Sequence, residues 1–182
     1  MTSTRLLVTT WGANKLLGLD TVGNDTHLVV TTWGANKLMQ LDAVGNELRR
    51  VQLPDYMESS NAAASPTGTF IVSHENRLQL DRHRVSEVNT SGEVLRQFSG
   101  SRSLSFVEEK LVAVDSQGNI FVADAYNCRI LLLDAQLKLR RVIIDEHQLK
   151  HKEPRGLFYT EQTGQLLVAL ESRLVAVFDV RR

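Results

Sequence analysis

The sequence predicts an all-β chain of small antiparallel sheets, and three observations carry that prediction. Apolar and β-branched runs of four to seven residues alternate with Gly, Asn, Asp and Ser punctuation along nearly the whole chain. The gaps are hairpin-sized, as where Val112-Ala113-Val114-Asp115 turns through Ser116-Gln117-Gly118-Asn119 into Ile120-Phe121-Val122-Ala123-Asp124. The third is an internal repeat: residues 6–24 return almost unchanged as residues 28–46, a period of 22 residues from Trp11 to Trp33. With three prolines and no linker-like tract, residues 1–182 read as a single domain.

From the N-terminus, residues 6–11 form one strand-like run, and residues 15–53 offer four more strands. A second unit, 62–99, counts four strands, among them Thr69–Ser73, Arg84–Val88 and Val94–Phe98. A third, 104–144, holds four strands, and a last unit, about 155–180, holds three: Gly156–Tyr159, Leu166–Leu170 and Leu174–Phe178. Only Asp145–Glu153 and Asp55–Ala64 leave room for a helical turn. Gly118 is placed to supply a positive φ, and Asp20, Asp42, Asp115, Asp124 and Asp134 stand at strand ends, where aspartate caps turns.

Composition narrows the function classes. Twenty-one basic residues balance twenty-one acidic ones, so no global field draws nucleic acid or an anionic membrane. The apolar runs are strand-sized, far below the ~20 residues of a membrane helix, and Met1–Arg5 does not open like a secretory signal. One cysteine, Cys128, excludes an internal disulfide framework and any multi-cysteine zinc site. A soluble, cytoplasmic protein with no membrane partner is the expectation.

A four-stranded unit recurring at about 40 residues is the pattern of a β-propeller blade. Such a sheet cannot bury both faces alone, so blades stack radially and cover one another. The chain supplies about four blades. If residues 6–11 completed the last unit, sixteen strands would close a four-bladed ring. The rival is an open arc cut from a larger propeller, whose bare edges invite self-association.

The segment Gly118-Asn119-Ile120-Phe121-Val122-Ala123-Asp124-Ala125-Tyr126-Asn127-Cys128-Arg129-Ile130 resembles the NHL repeat: a Gly-Asn turn, a strand ending Val-Ala-Asp, then Asn, any residue, Arg and Ile. The full motif appears once. Thr32, Ala35 and Lys37 align with Asp124, Asn127 and Arg129; Ser73 takes the Asp position in the next unit, with a longer loop to Arg84; Leu170 leads almost at once to Arg173. Asp124 and Asn127 are read as hydrogen-bonding the turn's backbone, and Arg129 as reaching a carboxylate across the blade. The resemblance is to the propellers of the tripartite-motif family, which are usually six-bladed. These sit behind a RING, B-boxes and a coiled coil that give ubiquitin-ligase activity. One cysteine cannot build a RING, so that activity does not transfer to this chain.

The chemistry-bearing residues give no enzyme. His147 and His151 stand four apart, but in a charged connector without the metalloprotease glutamate. His74 and His83 are placed to meet at one rim. A lyase of the peptide-amidation pathway holds zinc by histidines on a similar propeller, which leaves a metal-dependent lyase as a remote alternative. No nucleophile elbow, phosphate loop or dinucleotide turn occurs, and Cys128 lacks a neighbouring base, so no catalytic residue, cofactor or metal is assigned. The resemblance implies a non-catalytic interaction module. Its binding residues are Trp33, Lys37, Tyr126 and Arg129, at hairpin turns on one rim, with a protein as partner. The alternative is single-stranded or stem-loop RNA on a basic face, since fifteen of the twenty-one basic residues are arginine, including the pairs Arg49-Arg50 and Arg140-Arg141. The opposing reading pairs those arginines with acids on solvated outer strands.

Overall fold

The computed structural model describes residues 16–22, 25–31, 35–42, 44–78, 83–98, 110–171 and 173–180; the strand expected at 6–11 lies outside them. The described residues form four antiparallel sheets, each a meander of consecutive strands, and contain no helix. The first sheet is β1 (Leu16–Val22), β2 (Asp25–Thr31), β3 (Lys37–Leu41) and β4 (Glu47–Gln52). The second is β5 (Met57–Ala64), β6 (Phe70–Asn76), β7 (His83–Val88) and β8 (Val94–Phe98). The third is β9 (Lys110–Val114), β10 (Ile120–Asp124), β11 (Arg129–Leu133) and β12 (Leu139–Ile144). The fourth has only β13 (Pro154–Thr160), β14 (Gln165–Leu170) and β15 (Val175–Asp179).

The period of two sends successive side chains into different cores. In β10, Ile120 and Val122 join Ile71 and Val85 of the second sheet, whereas Phe121 and Ala123 join Leu166 and Val168 of the fourth. Likewise Phe70 and Val72 of β6 pack with Val29 and Leu38 of the first sheet. Each sheet thus nests on the next in chain order, with the first strand of one lying on the first two strands of its predecessor. Fully burying a side chain such as Phe121 contributes about 2–3 kcal/mol. Its ring also stacks on Tyr159 of β13 at 5.0 Å between centroids.

The Asp55–Ala64 segment corrects one expectation. Its alanines and serines suit a helical turn, yet Met57–Ala64 is strand β5. Burial overrides the propensity: Ala62 and Ala64 face the core shared with the first sheet, and Ala63 the core shared with the third. Polar contacts stitch the same seams. The Ser59 N–H and Oγ both donate to the Ala35 carbonyl, Thr31 Oγ1 donates to Ser60 O, and the Val112 N–H donates to Asn61 Oδ1 at 2.7 Å. The Asp145–Glu153 connector forms turns, with the buried Leu149 closing one of them onto Asp145 O.

The turns between third and fourth strands share one device. Asp42, Asn89 and Asp134 each accept, through Oδ1, the N–H groups two and four residues ahead at 2.8–3.0 Å. Asp115 does the same between β9 and β10. These bonds hold the Asp42 and Asp134 carboxyls below the ordinary aspartate range; for Asp42 the Asn46 side-chain amide contributes most, for Asp134 the Lys138 N–H. Asp20 is different: β1 continues to Val22, so Asp20 lies inside the strand opposite His27.

Gly92 of the Asn89 turn has φ +89°, and a Cβ there would collide with the Gln52 carbonyl oxygen. Gly45 has φ +93° but open space around it. Gly45→Ala is therefore expected to cost about 1 kcal/mol, from backbone strain alone. Gly92→Ala should cost at least twice that, because the turn must move off β4; urea unfolding of the two variants checks the difference.

Candidate functional site

The β10–β11 hairpin carries the full motif. The register sets Asp124 opposite Arg129, at the point where β10 ends. Asp124 is fully buried, and its Oδ2 accepts both Arg129 Nε and Asn127 Nδ2 at 2.9 Å. The Cys128 N–H closes the turn onto Ala125 O, with Cys128 itself at φ 47°. This differs from expectation in two ways. The Asn127 amide serves the carboxylate, and Arg129 finds its acid inside its own hairpin rather than across the sheet. Two charge-assisted bonds on one oxygen lock the loop. Tyr126 stands 59% exposed at its tip.

The other hairpins keep the place and change the chemistry. Lys37 opens β3 and is exposed. Beside it Asn36 Nδ2 donates to Asp55 Oδ1 at 3.0 Å. Trp33 and Trp11 lie outside the described residues. In the second sheet the equivalent of Asp124 is His74, not Ser73. Phe70 and Val72 face the preceding core as Ile120 and Val122 do, and the register pairs His74 with Arg84 as it pairs Asp124 with Arg129. In the fourth sheet Leu170 takes the place, and its N–H donates to Leu174 O across a tight turn with Arg173 at φ 61°.

A histidine opposite an arginine cannot repeat the ion pair. His74 is fully buried, with Nε2 2.8 Å from Ser86 Oγ, and Gln97 Nε2 reaches the same hydroxyl. Burial above all pushes its pKa down to about 4; the Glu75 carbonyl opposes this, and Arg84 and His83 add smaller downward pushes. The sequence places His74 and His83 at one rim, yet they do not share a face. His83 pairs with Glu75, the neighbour of His74, and so points to the opposite side.

The remaining candidates are structural in place. The His147 and His151 rings meet edge to face at 5.2 Å on the exposed connector. Among the described residues no three His, Cys, Asp or Glu groups cluster as a metal site would. Burial, together with Glu153, Glu171, Glu146 and Asp124, pushes the Cys128 thiol up, the wrong direction for a nucleophile. Arg50 pairs with Glu47 at 2.7 Å and Arg140 with Asp134 at 3.1 Å; Arg77, Arg96 and Arg155 pair with Glu58, Glu87 and Glu153.

No family model matches the chain, and a search of curated proteins finds no match. Among solved structures, it is similar to a protein of unknown function from Bacteroides caccae, at TM-score 0.48 and 17% identity over 85% of this chain and 57% of that one. It is also similar to apo AztD from Citrobacter koseri, at TM-score 0.47 and 19% identity over 71% of this chain and 34% of that one. The chain thus spans less than two thirds of the length of both.

Two outcomes follow. Asp124→Ala strands a mostly buried guanidinium and should cost about 3–5 kcal/mol, and adding Arg129→Met should restore part of it; denaturant midpoints of the two variants decide. His74 has a folded-state pKa below its unfolded value, so the neutral form favours the fold. Its contribution is complete above the unfolded pKa near 6.5 and falls away as pH drops toward about 4, by about 3 kcal/mol in all. His74→Gln should flatten that part of the stability profile relative to the parent chain.

Proposed function

We propose that this chain is an NHL-type β-propeller, complete or as part of a larger ring, that acts as a non-catalytic protein-interaction module. The observation that carries this reading is the β10–β11 hairpin, where Asp124, Asn127 and Arg129 immobilise a loop whose tip presents Tyr126 to solvent. A rigid loop with an exposed aromatic loses little entropy on binding and brings a large contact area. Lys37, at the start of β3, is the second contact of that rim, and Trp33 is a third candidate on the sequence alone. Arg129 moves from contact residue to support, because its Nε is held by the buried Asp124.

The arginine pairing described above weighs against the RNA reading, since a guanidinium held by an acid offers less to a phosphate. The test separates the two. Chain bearing Tyr126→Ala or Lys37→Glu should retain its melting temperature and lose a captured protein partner at least tenfold, with RNase making no difference. Capture abolished by RNase, with an affinity that falls steeply with salt, would instead establish RNA.

A further inference from the structure

Residues 145–153, which join β12 to β13, close a turn that is fastened at three points. At its start Asp145 and Gln148 form a reciprocal capping pair: the Gln148 N–H donates to Asp145 Oδ1 at 2.9 Å, and the Asp145 N–H to Gln148 Oε1 at 3.0 Å. At its end the Lys150 N–H donates to His147 O and the His151 N–H to Glu146 O, the two bonds of a Schellman cap. Lys150 and His151 are both left-handed there, at φ 54° and 55°. Between the two ends Leu149 is fully buried in the core shared by the third and fourth sheets. Consecutive non-glycine residues at positive φ are disfavoured in a free chain, so the caps and the packing of Leu149 impose this geometry.

The turn sets a spacing between two imidazoles. His147 and His151 stand four residues apart, and their rings lie 5.2 Å from centre to centre at an angle of 88°. Both side chains are exposed, so each ring can rotate about its Cβ–Cγ bond. Imidazole nitrogens bind zinc at about 2.0–2.1 Å, which puts the centres of two rings on one tetrahedral ion about 5 Å apart. The rings therefore already stand at chelating separation. The Glu146 carboxylate, with Oε1 3.9 Å from His147 Nε2, adds favourable charge, whereas Lys150 and Lys152 on the same connector oppose a cation. Glu153 is held by Arg155. No third protein ligand joins the pair among the described residues, which makes this a modest site and not a structural zinc centre.

We propose that His147 and His151 chelate one late divalent transition ion of the zinc, nickel and copper group, with water in the remaining positions. These ions favour imidazole over the oxygen ligands preferred by magnesium and calcium. Two nitrogen ligands place the dissociation constant in the micromolar range, on the order of 10 µM, far weaker than a zinc site of four protein ligands. The bound ion clamps the turn that anchors Leu149 between the third and fourth sheets. An unfolded chain does not hold the two rings together, so the ion raises the stability of the folded one. The site uses no residue of the β10–β11 hairpin and stands without the NHL reading.

The test is isothermal titration of the full chain with ZnCl₂ and with NiCl₂ at neutral pH. One ion per chain should bind, and the melting temperature should rise as the ion is added. His147→Ala and His151→Ala should each weaken binding at least tenfold while keeping the metal-free melting temperature of the parent, since both rings are exposed. Gln148→Ala, which opens the capping pair without removing a ligand, should weaken binding about threefold because the rings are then less well positioned. His27→Ala, in the first sheet, should change nothing. Micromolar binding that survives either ligand substitution, an equal loss in His27→Ala, or no binding below millimolar ion would overturn the proposal. So would full affinity in Gln148→Ala, since the pair would then be no more than two neighbouring surface rings.

Discussion

A strand that must bury both of its faces constrains everything else in this chain. Phe121 and Val122 are neighbours in sequence, yet they belong to different cores, one shared with the fourth sheet and the other with the second. No single sheet could satisfy both, so neighbouring sheets must be present before either face leaves water. The same demand explains why the first strands tolerate alanine and serine. Ala62, Ala63 and Ser60 of β5 are sandwiched where the sheets meet, and Asn61 supplies an acceptor to a β9 amide that has no strand beside it. Exposed arginines stand on each of the outer strands β4, β8 and β12.

Much of this was legible in the sequence because period and punctuation are local properties. The Ile120–Asp124 and Arg129–Leu133 strands, and the Asx-capped turns at Asp115 and Asp134, follow from residues within a few positions of one another. What was not legible depends on contacts from elsewhere. Met57–Ala64 reads as helix-permissive until two other sheets close on it. The equivalence of His74 with Asp124 was hidden by one position, because the longer β6–β7 connection shifts the strand ends; only the register reveals it. The role of Arg129 changed for a related reason: spacing shows that an acid is within reach, but not that the nearest one is its own cross-strand partner.

That exchange of aspartate for histidine shows how one structural place accepts different chemistry. In the third sheet a carboxylate and a guanidinium neutralise each other in a site closed to water. In the second, Arg84 faces a ring that stays neutral chiefly because burial opposes its protonation, and Ser86 takes over the hydrogen bonding. Both arrangements spend their polar groups on the hairpin itself. What is left for recognition is what the hairpins hold outward, Tyr126 above all.

The nesting of one sheet on the next is tested most directly by nuclear Overhauser contacts between methyl groups across the middle seam. The account predicts contacts joining Ile71 and Val85 of the second sheet to Val112, Val122 and Leu131 of the third, since all five lie in one core. A spectrum in which the methyls of each sheet contact only their own sheet would contradict it.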